Sequence, residues 1–183
     1  RSGNIWAATD LGVAHHNPQA RIAFSLLPSP LEGNALSDTN VHSIFVDSRG
    51  RIWLGLGAGH IDVIDLKAGR MRHLHLDGSQ TQRDVRSLAE ANGSIWVGTQ
   101  GLARIDPDTL AITDSVLPAL HDRPVLSLRR DGTRLLIGTY DGLYRYDTRS
   151  GTLEHASHVP SDPASLASDT VRYIAQVGDD WWY

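Results

Sequence analysis

Residues that commonly do chemistry are thinly spread in this chain, and few stand at useful spacings. Of nine histidines, His73 and His75 lie two apart on one predicted strand and so share a face. A zinc site needs three or four converging ligands. No carboxylate stands at a spacing that completes this pair, so a solvated outer strand face is expected. His15 and His16 are adjacent and point to opposite faces, which excludes a joint metal role. No G-x-S-x-G nucleophile elbow occurs. Gly55-x-Gly57-x-Gly59 precedes a predicted strand where dinucleotide binding needs a helix. Asp179-Asp180 falls in a turn signal. The sharpest acid–base pairing is His42 with Asp10 or Asp38, which makes a lyase or hydrolase the last of three readings. No catalytic residue, metal or cofactor is assigned, and the chain is not read as an enzyme.

The elements that position these residues repeat. SIWVGTQGLARIDPDT (94–109), RLLIGTYDGLYRYDTRSG (134–151), RIWLGLGAGHIDVIDLKAG (51–69) and NIWAATDLGVAHHNP (4–18) align on Trp96, Leu136, Trp53 and Trp6, and Trp182 is a fifth anchor. A period of roughly 40–50 residues, with several short strands per unit, is the signature of a β-propeller. In the second copy, strands are expected over 41–47, 51–56, 60–66 and 70–76. Asn92-Gly93 and Asp131-Gly132 supply the positive φ of tight hairpin turns. Asn17-Pro18, Asp65, Asp106-Pro107 and Asp147 mark the turn between third and fourth strands, where the side chain accepts a backbone N–H two residues on. Gly55, Gly98 and Gly138 follow the anchors by two, which predicts close backbone approach. Leu36 and Leu166 stand five residues before Val41 and Val171 and read as plugs. The connections 77–84 and 118–124 are read as lacking one.

The fold expected is therefore all-β, a partial propeller of four-stranded antiparallel blades. Its repeats run over about 1–30, 31–77, 78–118 and 119–160, with a truncated copy at 161–183. The first copy is expected to lack its first strand and the last to stop at its second. A seven-bladed ring needs roughly 300 residues at this period, so the chain reads as a fragment whose open blade edges favour self-association.

Ligands dock where loops vary on a fixed frame. The connections between second and third strands offer Asp10, His60, Gln100, Tyr140 and Asp141, while His42, Arg86, Arg123 and Arg172 stand near the starts of first strands. These nine are the candidate ligand-binding residues. His42, Arg86, Leu126 and Arg172 share one repeat position, and their variation suits a surface tuned to a ligand. Tyr140 and Trp181 could stack on a sugar face, with polar groups ordering its hydroxyls. The recurring tryptophans are core.

SLAEANGSIWVGTQGLARIDPDT and LRRDGTRLLIGTYDGLYRYDTRSG resemble the two-component regulator propeller repeat, as do the other copies. That repeat carries a leucine-containing loop, then loosely V-x-x-I-x-x-D-x-x-G-x-[IL]-W-[IV]-G-T-x-x-G-L-x-R-[YF]-[DN]. His60 stands where the pattern has leucine after the glycine. Ala7-Ala8 and Leu136 are further departures. The resemblance implies part of a seven-bladed propeller in the periplasmic region of a bacterial membrane receptor. It implies a histidine kinase or diguanylate cyclase output elsewhere in the parent, a receptor dimer partner, and small-molecule or oligosaccharide ligands. A protein-interaction scaffold is the alternative reading.

Composition narrows the partners. Hydrophobic content of 40% and charged content of 21% fit a globular class. A net charge of −4 with scattered basic residues argues against nucleic acid. The absence of cysteine removes disulfides and thiolate-bound zinc.

Overall fold

The computed structural model describes residues 5–10, 12–17, 22–27, 35–76, 84–114 and 116–183. They form two compact units, residues 1–85 and 86–183. In the first unit, β1 (Ile5–Thr9), β2 (Gly12–Asn17) and β3 (Ile22–Leu26) make a three-stranded sheet. The strands β4 (Val41–Val46), β5 (Ile52–Leu56), β6 (His60–Asp65) and β7 (Arg70–His75) make a four-stranded one. In the second unit, β8 (Ser87–Ala91), β9 (Ser94–Gly98), β10 (Leu102–Ile105) and β11 (Ile112–Thr113) form one sheet. A further sheet holds β12 (Ser127–Asp131), β13 (Arg134–Gly138), β14 (Leu143–Asp147) and β15 (Leu153–Ala156), and β16 (Ala175–Val177) pairs with β17 (Asp180–Trp182). Every pairing is antiparallel between consecutive strands, as the hairpin signals require.

The first strands begin later than their sequence suggests, at Ser87 and Ser127, for a reason that holds the fold together. The valine before each bonds to the preceding sheet instead of its own. Val85 N–H donates to Leu56 O at 3.0 Å, Val125 to Thr99 O at 2.7 Å and Val171 to Thr139 O at 2.8 Å. This stitch brings backbone against backbone. A Cβ on Gly55 or Gly138 would overlap the carbonyl of Val85 or Val171, and one on Gly98 would sit 2.6 Å from Val125 Cγ1. The strand glycines are there because nothing larger fits.

Between sheets lies the core. Trp53 is fully buried, and Trp96 and Leu136 are nearly so. Trp96 joins Val125, Leu128, Leu135 and Ile137 in one cluster, and Leu136 joins Val171 and Ile174 in another. Trp96 thus packs against the sheet that follows it and Leu136 against the residues that lead into β16, and burying one such large side chain contributes about 2–3 kcal/mol. Trp182 occupies the equivalent position but is 65% exposed, because no described sheet follows β17 to cover it. Its neighbour Trp181 packs back towards Leu136 and Leu143, so it is not a free stacking platform.

Plug leucines behave as expected, with one addition. Leu36 is buried among Val13, Val41 and Leu54, and Leu166 packs on Leu143 and Val171. The connection at 118–124 also carries a plug. Its short 3-10 turn, Pro118–Leu120, drives Leu120 fully into the core beside Val125. Leu120 keeps the same five-residue spacing, which the Pro-, His- and Arg-rich composition around it obscures. The connection at 77–84 lies almost wholly outside the described residues, as does Pro18.

Turn carboxylates recur. Asp65, Asp106 and Asp147 each accept two backbone N–H groups, two and three residues on, at 2.8–3.0 Å. The N–H groups of Ser150 and Arg149 and the Thr133 hydroxyl hold Asp147 down at about 2, well below its usual 3.8. Burial pushes Asp47 up, but hydrogen bonds from Trp53 and Arg51 and the Arg51 charge outweigh it and leave a lowered value.

Two outcomes follow from the seam and the turns. Gly138→Ala is expected to destabilise the chain by about 2–3 kcal/mol in urea unfolding, since backbone must shift to admit the methyl group. Gly93→Ala, in a turn with open space around it, costs about 1 kcal/mol from its positive φ. Because the Asp147 and Asp47 values are depressed, the stability they contribute is present above the ordinary carboxylate range. It is lost as pH falls from about 4 towards 2. Thermal unfolding midpoints should drop across that window, and Asp147→Asn should flatten the drop.

Candidate functional site

In the second unit, two arginines from successive connections converge on the two-residue turn Tyr140–Asp141 between β13 and β14. Thr139 follows β13, and its hydroxyl lies 2.6 Å from Asp141 Oδ1 while accepting the Asp141 N–H at 3.1 Å. Asp141 Oδ2 accepts from the Tyr144 hydroxyl at 3.0 Å and from Arg123 Nη1. His155 on β15 reaches the Asp141 carbonyl through Nε2 at 2.7 Å, and its ring stacks on Tyr144 with centroids 4.2 Å apart. Gly142 makes this tight fold possible, with φ +125° and the Ala156 carbonyl where a Cβ would be. Beside it, the Arg172 guanidinium lies 5.7 Å from the Tyr140 ring centroid. Tyr140 is 45% exposed. An exposed ion pair such as Arg123–Asp141 contributes only about 0–1 kcal/mol, so the fold does not depend on this arrangement.

Four of the nine predicted residues, Arg123, Tyr140, Asp141 and Arg172, are therefore brought together. Gln100 sits exposed in the corresponding turn after β9. Arg86 is exposed before β8, with its N–H bonded to Gly98 O at 2.9 Å. Asp10, His42 and His60 belong to the first unit. Asp10 is exposed after β1. His42 Nε2 lies 3.3 Å from Asp84 Oδ1, and His60 packs on His75 with ring centroids 4.7 Å apart. Neither carboxylate offered to His42 by the sequence is the one it meets.

Sequence reasoning missed Thr139 and Tyr144, which bond Asp141 from two and three residues away, and His155, which reaches it from β15. It also misplaced His60. Gly55 pairs with Ile61, as Gly98 does with Leu102 and Gly138 with Leu143. Ile61 is thus the residue at the pattern's leucine position. The turn Gly57–Gly59 lengthens the connection by one residue relative to the fourth copy and by two relative to the third, and His60 takes the place of Gly101 and Gly142.

A serine, a histidine and an acid also meet in the first unit. Asp62 is fully buried and accepts from Ser37 N–H at 2.8 Å and Ser37 Oγ at 2.6 Å. His73 Nδ1 lies 2.7 Å from Asp62 Oδ1 and 2.8 Å from Ser37 Oγ. This corrects the expectation that no carboxylate meets His73. A hydrolytic triad places nucleophile and acid on different ring nitrogens, whereas both Ser37 and Asp62 here crowd Nδ1. The cluster ties the plug loop to β6. Asp62→Ala should cost about 2–3 kcal/mol in urea unfolding, because a buried N–H and hydroxyl lose their acceptor. Asp62→Asn should cost less.

Among the described residues, no group of three or more His, Cys, Asp or Glu is placed to hold a metal ion. No helix among them is long and apolar enough to cross a membrane.

Sheets of four antiparallel strands, stitched one to the next, define a segment of a β-propeller. Comparison agrees. Over its full length the chain matches the extracellular domain of the putative one-component system BT4673 from B. thetaiotaomicron, with a TM-score of 0.82 and 25% identity, spanning 25% of that chain. A second structure of the BT4673 extracellular domain, there described as a putative hybrid two-component system, matches 96% of the chain at 0.79 and 26% identity, with 24% of that chain covered. The extracellular domain of the putative hybrid system BT3049 from the same organism matches 94% of the chain and 22% of its own, at 0.73 and 20% identity. The chain spans about a quarter of the length of these proteins. No curated protein matches it in sequence.

The chain carries the two component regulator propeller repeat, matched at residues 35–57. The matched copy is the second, with its plug loop, rather than the third and fourth whose motifs look closest. The remaining copies are equivalent to it by strand pairing.

Proposed function

We propose that this chain is part of the extracytoplasmic ligand-sensing propeller of a bacterial transmembrane signalling receptor, and that it takes an oligosaccharide on the surface around Tyr140. The observation that carries the reading is the match over the whole chain to the extracellular domain of a putative signalling system at 25% identity. The turn cluster supports the choice of surface. Its exposed ion pair contributes little to stability, its side chains differ from those at equivalent positions of other sheets, and it combines an exposed aromatic ring with charged hydrogen-bonding groups. Sugars are held in this way, apolar faces on rings and hydroxyls on polar groups. For a signal to pass, the ligand must bind two receptor states unequally, and a histidine kinase or diguanylate cyclase would read the difference.

Calorimetry of the chain against a panel of oligosaccharides tests this. At least one should bind saturably, and Tyr140→Ala should weaken it about ten-fold, the loss of one good ring contact, without lowering the unfolding midpoint. Saturable binding that Tyr140→Ala leaves unchanged would move the site elsewhere. No binding across the panel would remove the carbohydrate assignment.

A further inference from the structure

The charges at the Tyr140–Asp141 turn do not balance, and the imbalance is oriented. Two guanidinium groups stand at this turn beside one carboxylate: Arg123 pairs with Asp141, and Arg172 lies over the Tyr140 ring. That carboxylate is committed. Its Oδ1 faces the Thr139 hydroxyl, and its Oδ2 takes both Tyr144 and Arg123. His155 donates its Nε2–H to the Asp141 carbonyl inside the cluster. Arg172 is different. It is exposed, its contact in the described structure is the Tyr140 ring, and no described carboxylate lies within ion-pair distance of it. A ring beneath a guanidinium restrains its plane while leaving its edge N–H groups free to donate.

We infer that this surface recognises an acidic sugar, with the oxyanion of a uronate carboxylate or sulfate ester received by the edge of Arg172 beside the Tyr140 ring. The inference rests on the sensing reading above and names the substrate class for that same site. A neutral sugar hydroxyl gives the Arg172 edge only an uncharged acceptor. An oxyanion meets a fork of donors whose geometry matches two of its oxygens, and such charge-assisted pairs are the strong ones. The position is one that varies between repeats, as His42, Arg86, Leu126 and Arg172. His42 already faces Asp84 at 3.3 Å, and Leu126 carries no charge. Arg172 therefore brings to its turn a cation that these two equivalents do not.

The test is calorimetric titration of the full chain with three ligand sets: oligogalacturonates, a sulfated disaccharide series, and neutral oligosaccharides of matching length. Arg172→Gln and Arg172→Lys are titrated in parallel. An acidic set should bind more tightly than the neutral set. Arg172→Gln should weaken it about ten-fold or more, in keeping with the loss of a hydrogen bond to a charged group, and weaken any neutral binding far less. Arg172→Lys should recover only part, since it keeps the charge and loses the fork. Added salt should weaken the acidic set alone. Which acidic set wins separates carboxylate from sulfate. Neutral sugars binding as well as acidic ones, or Arg172→Gln leaving acidic binding intact, overturns this inference and leaves the sensing site standing. No binding by any set overturns both. Because Arg172 is exposed, all variants should keep the wild-type unfolding midpoint, which separates a lost ligand contact from a lost fold.

Discussion

One hydrogen bond, repeated, organises this molecule. A valine N–H reaches past its own strand to a carbonyl at the end of the previous sheet's second strand, at Leu56, Thr99 and Thr139. A sheet on its own leaves one apolar face bare, and the stitch sets how closely the next sheet covers it. Its geometry leaves no volume for a side chain at Gly55, Gly98 or Gly138. It also fixes where Trp96 and Leu136 land, against the following sheet's Leu128 and against Ile174 at the lead into β16 respectively. Where the described structure has no following sheet, the same residue type stands in solvent as Trp182.

The stitch also decides what surrounds the turns between second and third strands. The residue that accepts the valine N–H, Thr139, is the residue that buttresses Asp141 with its hydroxyl. The residue just past the valine, Arg172, is the one over Tyr140. The connection that delivers the preceding valine, Val125, also delivers Arg123 to Asp141. The contacts that join sheets thus carry side chains from two connections to one turn, and the same frame accommodates different side chains at equivalent places. Asp62 with His73 and Tyr144 with His155 occupy matching cross-strand positions. One pair anchors a plug loop, and the other supports a surface cluster.

Strand order, hairpin turns, turn carboxylates and strand glycines were legible in the chain because each is local or obeys a repeat. Asn92-Gly93, an Asp before a turn and a glycine two past a tryptophan state their own geometry, whereas Asp131 ends β12 opposite Arg134 and leaves Gly132–Thr133 as the turn. Leu120 was legible in principle, by its spacing to Val125, but a 3-10 turn and an unfamiliar composition hid it. The longer connection at Gly57–Gly59 defeated linear alignment, because only strand pairing shows that Ile61 rather than His60 faces Gly55.

What the sequence determined alone is the repeat, and with it the architecture, since a period of alternating strands and tight turns has few ways to bury its apolar residues. What only the tertiary structure decided is partnership: Arg123 with Asp141, Arg172 with Tyr140, Ser37 and His73 with Asp62. Those partners lie between 11 and 32 positions apart. No pattern in the chain selects one carboxylate over another at such separations. Strand register and loop path set which side chains come within 3 Å, and these exist only once the sheets have packed.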